Sequence, residues 1–310
     1  MIHSEVRHIP ILVQPIVQYL IEPFFKLPQA GPSHWIVDCT FGGGGHTGHF
    51  LQALQAHPEL QHHKVLALDQ DPQAIERGQK RYAEHIEAGR LELLHLNFRQ
   101  AQEVVAGRPV LGLLADLGFS SDQLEDADRG LSFMREGPLD MRLNPTQGVS
   151  CHQFLREVSE RDLEWILKEY GEERFAHRIA VHLVQQRRKG HVPQSTKELT
   201  ELVVQALPPP ARHGRIHAAT RTFQALRIAV NQELDALDDL LDQVIPGVVT
   251  GGRVAILSFH SLEDRRVKQK FKMDQRFKAL TKKPIEPSFE EVSQNSRARS
   301  AKLRVAEKNS

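Results

Sequence analysis

The 310-residue sequence has no long apolar run and very little cysteine. A membrane-spanning helix needs roughly 20 consecutive apolar residues, and no segment approaches that length. The first residues, 1–5, lack the basic stretch and apolar core of a signal peptide. Cys39 and Cys151, the two cysteines, are too few for a disulfide framework or a structural zinc site. We therefore expect a cytoplasmic protein that is not inserted in a membrane and holds no metal.

An excess of positive over negative residues is absent from most of the chain but is present at its C-terminal end. The formal net charge is +1, yet from Arg265 onward 14 Lys or Arg residues stand against 5 Asp or Glu residues. A basic end on an otherwise acidic chain favours an anionic partner such as RNA. A solvated tail is an equally good interpretation of the charge alone.

The chain is organised around Trp35–Asp38, a short apolar run that ends in an acid and leads into four consecutive glycines. Apolar residues at helical spacing follow, so the stretch predicts a strand, a tight turn and a helix. Gly43, Gly45 and Gly48 fit the G-x-G-x-x-G spacing of a dinucleotide site. Asp69 ends a second apolar run, where an acid can bind ribose hydroxyls. Together they predict a nucleoside cofactor, either NAD or S-adenosylmethionine (AdoMet), on a Rossmann-like sheet.

Apolar runs alternate with helical patterns in the first part of the chain and again near its end. Strands are predicted at 35–39, 64–69, 91–96, 110–116 and 253–259, with an antiparallel edge pair near 277–281 and 302–306. A long amphipathic helix is predicted at Thr220–Val244, and a polar, mobile loop at 284–299. From 122 to 217 the signals are helical only.

These patterns predict an α/β protein, a Rossmann-like sheet of the class I AdoMet-dependent methyltransferases, interrupted by an all-helical domain. Residues 1–121 and 218–310 would form the methyltransferase domain, and residues 122–217 the inserted domain, which we expect to recognise the RNA substrate. Asp38, Asp69 and Asp116 follow three of the parallel strands, and such sheets bind ligands at their carboxyl edge. Asp38 and the glycine loop would hold the methionine part of AdoMet, Asp69 the ribose, and Phe98 the adenine.

The sequence Asp116-Leu-Gly-Phe119 follows the fourth strand, where amino methyltransferases carry an acid and an aromatic residue around two prolines. An exocyclic base amine is a weak nucleophile because its lone pair is delocalised into the ring, and an acceptor for its N–H groups frees that lone pair. An aromatic ring can stack on the extruded base. We therefore take Asp116 and Phe119 as catalytic candidates. Since the prolines are absent, a cofactor-only role for Asp116 and a core role for Phe119 stay open.

Further candidates for substrate contact are polar residues near the predicted sheet edge and a basic run in the helical insert. Ser120 follows Phe119, and Ser258 and His260 end the fifth strand. A lone histidine is more often structural than catalytic, and the sequence has 17 of them. Arg187, Arg188 and Lys189 end a helical pattern and could bind phosphates.

Many short motifs are spread over nearly the whole chain, and taken together they are specific to one protein family. They are 8–12 (HIPIL), 38–46 (DCTFGGGGH), 69–72 (DQDP), 116–121 (DLGFSS), 129–134 (RGLSFM), 137–142 (GPLDMR), 170–176 (YGEERFA), 220–227 (TRTFQALR), 258–264 (SFHSLED) and 297–304 (RARSAKLR). With these motifs the chain resembles the ribosomal small-subunit methyltransferase H family, also called MraW.

The resemblance implies AdoMet-dependent methylation of the N4 amine of a cytidine in the decoding region of 16S ribosomal RNA. It also implies a helical domain inserted into the methyltransferase domain. Carried over by motif, the cofactor site would comprise Gly44, Gly45, His46, Asp69, Phe98, Asp116 and Gln123. The expected partner is 16S ribosomal RNA or the small ribosomal subunit. The oligomeric state stays open, and a homodimer is compatible with the sequence.

Two other functions fit part of the sequence. An NAD-dependent oxidoreductase would share the glycine loop and Asp69, but would leave Asp116-Leu-Gly-Phe119 and the basic end unexplained. A non-catalytic RNA-binding protein with a vestigial cofactor site would keep the basic end. Preference for AdoMet over NAD separates the first alternative, and methyl transfer to small ribosomal subunits separates the second.

Overall fold

The computed structural model of the chain describes residues 10–28, 31–212 and 216–309. They form two compact units, one of residues 1–120 and 234–310 and one of residues 121–233. The first boundary follows Ser120, one residue before the predicted division at 121/122. The second boundary falls after Glu233 rather than after 217, so the helix that begins at Thr220 belongs to the helical unit. Residues 8 and 9 of the motif at 8–12 lie outside the described residues.

The first unit, here called the sheet unit, is built on one seven-stranded sheet. Its strands are β1 Trp35–Asp38, β2 Lys64–Asp69, β3 Leu91–His95, β4 Val110–Asp116, β5 Val248–Ser258, β6 Phe277–Ala279 and β7 Lys302–Lys308. The spatial order is β3-β2-β1-β4-β5-β7-β6; the first five strands run parallel, and β7 is antiparallel to both of its neighbours. The predicted α/β class and the antiparallel edge pair are confirmed.

The described helices follow the strands as crossover connections or form the insert. They are α1 Val13–Ile21, α2 Gly45–Ala56, α3 Pro72–Arg81, α4 Ala83–Glu87, α5 Ala101–Val105, α6 Ser121–Glu125, α7 Cys151–Glu157, α8 Glu160–Glu169, α9 Ala176–Arg188, α10 Thr196–Ala206, α11 Thr220–Asn231, α12 Glu233–Asp239, α13 Ser261–Met273 and α14 Phe289–Gln294. None of the described helices is long and apolar enough to cross a lipid bilayer.

Both faces of the sheet are covered, which explains why the central strands are apolar on both sides. Helices α1 and α2 pack on one face, where Leu20 and Phe50 are fully buried. Helices α5, α12 and α13 pack on the other, where Leu237 and Phe271 are buried. Strand β4 is buried along its whole length up to Asp116. The sheet therefore forms a rigid support whose polar groups emerge at the strand ends.

The helical unit contains α6 to α11, with helix starts that the sequence specifies locally. The side chain of Ser150 accepts the N–H of Gln153, whose own side chain returns to the Ser150 N–H, a reciprocal capping box. Ser159 caps α8, because its side chain accepts the N–H of Asp162 at 3.0 Å. These caps satisfy N–H groups that the first turn of a helix leaves without partners.

Two predictions about elements are wrong. The helix predicted at Thr220–Val244 ends at Asn231, because Gln232 adopts a left-handed conformation with φ of 50°, and the chain continues as α12 and a π-helical turn, Leu240–Val244. The segment 284–299, predicted as a mobile loop, contains α14 and a 3-10 turn, Ser296–Ser300. A bridge between Ile285 and Leu303 closes its base.

Candidate active site

The site is built where β1 and β4 lie side by side, because there the crossover connections leave in opposite directions and open a crevice at the carboxyl edge. Asp38 ends β1, Asp69 ends β2 and Asp116 ends β4. The structure thus brings together the three acids that the sequence singled out. All three belong to the sheet unit.

Asp38 lies under the glycine loop rather than facing outward. It is 0% exposed, and its carboxylate accepts the Thr47 hydroxyl at 2.7 Å and the Thr40 N–H at 3.2 Å. Burial raises its pKa, and the nearby His46 and the Thr47 hydrogen bond oppose that rise. The direct contact predicted between Asp38 and the methionine part of a cofactor is not supported, because the side chain has no accessible surface.

Asp69 holds the glycine loop in place. Its two carboxylate oxygens accept the N–H of Gly42 at 2.6 Å and the N–H of Asp71 at 2.8 Å. Burial raises the pKa of Asp69 to about 6, although these two hydrogen bonds act to lower it. Each oxygen keeps a second lone pair, so the predicted contact with ribose hydroxyls stays a prediction.

The glycine loop turns directly into α2. Gly44 has φ of 77° and precedes the first residue of that helix. A Cβ at Gly44 would lie 2.7 Å from Phe41 Cζ and 2.7 Å from Tyr82 Cε2, so only glycine fits. The Gly44 carbonyl accepts the Tyr82 hydroxyl at 2.7 Å. Tyr82, the residue that follows α3, therefore holds the glycine loop in place.

His46 links the start of α2 to Asp116. It is 4% exposed; Nε2 lies 3.0 Å from the Ile11 carbonyl oxygen, which can only accept, so Nε2 carries a proton. Nδ1 lies 3.6 Å from Asp116 Oδ2. Gly45, whose added Cβ would meet Pro10 at 2.9 Å, closes the same corner. His46 is thus oriented so that its second nitrogen faces the carboxylate.

Asp116 is the buried acid at the centre of the crevice. Its N–H donates to the Thr40 hydroxyl at 2.7 Å, which fixes the end of β4. Burial raises the pKa of Asp116 to about 6; His46 and Arg297 lower that pKa, and Asp38 and Glu263 raise it further. Ser120 is buried beside the loop, with its Cβ 3.6 Å from the position that a Cβ on Gly42 would take.

Phe119 is half-buried, and Arg297 of the C-terminal segment contacts it twice. Nη2 of Arg297 donates to the Phe119 carbonyl, and the guanidinium lies 5.1 Å from the centre of the Phe119 ring. The sequence analysis missed Arg297: it belongs to a motif that carried the family resemblance, but nothing local distinguishes it from its basic neighbours.

The two candidates at the end of β5 have different surroundings. Ser258 is 1% exposed, and its hydroxyl donates to the Lys302 carbonyl at 3.3 Å, so its predicted substrate contact is not supported. His260 Nε2 lies 3.1 Å from Glu263 Oε1, and Glu263 Oε2 accepts the Phe259 N–H at 2.8 Å. His260 stays a candidate, and Glu263, buried at the start of α13, is a charged neighbour that the sequence analysis did not identify.

The remaining predicted residues lie apart in the chain. Phe98 is half-buried at the start of a 3-10 turn after β3, and its adenine contact stays a prediction. Gln123 is buried in α6 of the helical unit. In the same unit Arg187 donates to the carbonyls of Leu155 at 2.8 Å and Val158 at 2.7 Å, a structural role. Arg188 and Lys189 are exposed.

The donor set fits AdoMet. Three carboxyl groups have raised pKa values because they are buried, and Asp38 raises the pKa values of both Asp69 and Asp116 further. A ligand with a sulfonium and an ammonium group would offset this negative charge, whereas the diphosphate of NAD would be repelled. Gly42, with φ of 53°, has only Ser120 Cβ and the Thr40 carbonyl within 4 Å of an added Cβ, which leaves room for a ligand.

Comparisons with known proteins identify the family. A model of the family described as "MraW methylase family" matches residues 5–309. Similar curated proteins are named ribosomal RNA small subunit methyltransferase H. The one from Synechococcus sp. (strain JA-3-3Ab) is 46% identical over 314 residues, covering 98% of this chain and 96% of that protein. Those from Synechococcus elongatus and Hydrogenovibrio crunogenus are each 43% identical, covering 98% and 89% of this chain and 96% and 91% of theirs.

Proposed function

Because the chain belongs to the MraW methylase family and is a small-subunit ribosomal RNA methyltransferase, we propose that Asp116 and Phe119 hold the cytidine whose N4 amine is methylated. AdoMet is the proposed methyl donor, and when bound it supplies an electrophilic methyl carbon on a sulfonium. The observation that carries the proposal is the half-buried carboxylate of Asp116, whose pKa is raised, at the end of β4 and followed by a half-buried aromatic ring.

Asp116 acts on the amine as a hydrogen-bond acceptor. The ionised carboxylate accepts an N–H of the exocyclic amine, which favours pyramidal nitrogen and frees the lone pair for in-line attack on the methyl carbon. The N–C bond would form as the bond from that carbon to sulfur breaks, which leaves S-adenosylhomocysteine, and the extra proton on the methylated nitrogen would pass to water. Phe119 stacks on the extruded base and fixes its plane. His46, held at Nε2 by the Ile11 carbonyl, places its other nitrogen 3.6 Å from Asp116 Oδ2. Asp69 fixes the loop against which the cofactor lies.

The helical unit and the basic C-terminal end are the proposed RNA contacts. Arg188 and Lys189 are exposed at the C-terminal end of α9, where the helix dipole favours cations. Phosphates along a structured RNA would be attracted to such groups. The proposed partner is 16S ribosomal RNA within the small subunit, and the proposed location is the cytoplasm, where that substrate is found.

The test is methyl transfer from labelled AdoMet to small ribosomal subunits that lack the modification, followed by nucleoside mass spectrometry. We expect N4-methylcytidine with the wild-type protein and a loss of about 10²–10³-fold in rate with Asp116→Asn, the range for removal of one transition-state hydrogen bond. Glu103→Gln, an exposed acid on α5, is the matched control and should react normally.

Near-normal turnover by Asp116→Asn would remove Asp116 from the proposed mechanism. Label on another base, or on another atom of cytosine, would contradict the proposed role of this site. Stabilisation by AdoMet but not by NAD in a thermal-shift assay would support the cofactor assignment, and the reverse preference would overturn it.

A further inference from the structure

The segment that the sequence predicted as a mobile loop reaches the candidate active site. We call residues 286–301 the C-terminal strap. Its base is closed by two hydrogen bonds between Ile285 and Leu303, each 2.9 Å. Near its middle, Glu291 Oε1 accepts the N–H of Leu12 at 2.6 Å. Leu12 follows Ile11, whose carbonyl accepts the proton of His46. The strap is thus held at its base and on its α14 side.

Arg297 is a residue of the strap that contacts Phe119, one of the two catalytic candidates. Its N–H donates to the Asn295 side chain at 3.1 Å, which starts the 3-10 turn Ser296–Ser300, and the next residue, Ala298, is fully buried. The backbone of Arg297 is therefore fixed. Its guanidinium donates to the Phe119 carbonyl and lies over the Phe119 ring, close to the roughly 6 Å limit for a cation–π contact.

We propose that Arg297 is a positioning residue that fixes the Phe119 ring for the target cytosine and directs its positive charge at Asp116. This inference rests on the proposed function of Asp116 and Phe119. A single guanidinium can make both contacts with Phe119, since its planar fork can donate to the carbonyl while its face lies against the ring. The C-terminal strap is then a part of the substrate site.

Among the described residues, four charged or titratable groups act on Asp116: His46 from α2, Asp38 from β1, Glu263 from α13 and Arg297 from the strap. Arg297 lowers the pKa of Asp116, and the two acids raise it. Removal of Arg297 therefore raises the pKa of Asp116, and the ionised form that accepts the amine N–H is reached only at higher pH.

The experiment measures single-turnover methyl transfer to small subunits, at saturating AdoMet, from pH 5 to 8. The variants are Arg297→Ala, Arg297→Gln and Arg297→Lys. Arg299→Ala is the matched control, since Arg299 lies two residues away on the same turn and is exposed. Affinity for S-adenosylhomocysteine and thermal unfolding are measured on each variant, so that a loss of folding is recognised.

We expect Arg297→Ala and Arg297→Gln to lose about tenfold or more in rate and to shift the acidic limb of the profile to higher pH. S-Adenosylhomocysteine affinity should change by less than about threefold. Arg297→Lys should restore the position of the limb, because it keeps the charge, and only part of the rate, because it lacks the planar fork. Arg299→Ala should match the wild type in both.

The proposal would be overturned if the Arg297 variants matched Arg299→Ala in rate and in the position of the acidic limb of the pH profile. It would also be overturned by a slower rate with an acidic limb at the wild-type pH, because that result would mean a structural role only. If Arg297→Ala unfolds, the comparison of Arg297→Gln with Arg297→Lys decides: both limbs at the same pH would overturn the charge role. Failure of the proposed function is seen separately, because Asp116→Asn would then turn over at a near-normal rate.

Discussion

At the scale of single residues, the buried aspartates make the ligand-free protein less stable at neutral pH. The folded-state pKa values of Asp69 and Asp116 are about 6, above the ordinary value of 3.8. Between these values the folded state binds more protons than the unfolded state, so the free energy of unfolding falls as pH rises from about 4 to 6. The loss in the free energy of unfolding persists above pH 6. The same two carboxylates place negative charge where a cationic cofactor would bind.

Asp116→Asn should therefore stabilise the ligand-free protein at pH 7.5, although it slows transfer by about 10²–10³-fold. The expected gain is on the order of 1–3 kcal/mol, from a pKa shift of about two units at about 1.4 kcal/mol per unit, and it should shrink toward zero as pH approaches 4. Thermal unfolding at several pH values measures it, with Glu103→Gln as the exposed control. A less stable Asp116→Asn at pH 7.5 would show that the carboxylate stabilises the fold.

At the scale of elements, the turn from β1 into α2 holds the cofactor crevice open. Gly44 combines a left-handed backbone with close neighbours, Phe41 and Tyr82. Gly89, on a turn after α4, has φ of 65° but no atom within 4 Å of an added Cβ. A comparison of substitutions at the two glycines therefore distinguishes the effect of backbone strain alone from the effect of strain with steric overlap.

Gly89→Ala should lower the free energy of unfolding by about 1 kcal/mol, the cost of a left-handed non-glycine residue, and leave AdoMet affinity unchanged. Gly44→Ala should cost more than that and weaken AdoMet binding at least tenfold, since either the loop or Tyr82 must move. Denaturant unfolding and calorimetric titration measure the two effects. Equal behaviour of the two variants would show that the loop tolerates a side chain.

At the scale of the whole molecule, the chain leaves the sheet unit after Ser120 and returns at Leu234. Strands β4 and β5 are neighbours in the sheet although the helical unit separates them in sequence. An insertion at this point adds a unit without disturbing the order of the strands. The division into two units makes substrate binding testable apart from cofactor binding.

The double variant Arg188→Ala, Lys189→Ala should weaken binding to small subunits and reduce the slope of log affinity against log salt by about 1.5, since each lost phosphate contact contributes about 0.7–0.9. AdoMet affinity should not change. Binding measured from about 50 to 200 mM salt gives the slope.

Arg187→Ala is the informative comparison. Arg187 donates to two carbonyls at the end of α7, Leu155 and Val158, so its loss should lower stability by about 1–3 kcal/mol, the cost of groups left without hydrogen bonds. Its effect on the salt slope should be small. A slope reduced by Arg187→Ala but not by the double variant would mean that the RNA contacts the other side of α9.

The amino-acid sequence by itself determined the family, the fold class, the reaction and the strands that carry Asp38, Asp69 and Asp116. The fold class and these strands follow from local signals: apolar runs of strand length, an acid at their ends, and glycines where a backbone must turn. The family and the reaction follow from the resemblance that motifs spread over the chain carry. The end of α11 at Gln232 could not be foreseen, because the apolar pattern continues and the residue is not glycine.

Only the tertiary structure decided what each side chain contacts. Asp38 is enclosed under the loop and the Ser258 hydroxyl is directed at β7, although both end strands at the same edge of the sheet as Asp116. Arg297 and Phe119 are 178 positions apart and meet because the antiparallel return of β7 closes the strap at its base. A pattern along the chain records which residues are apolar or charged. Contacts between distant segments depend on how the strands are ordered, and that order exists only in the folded sheet.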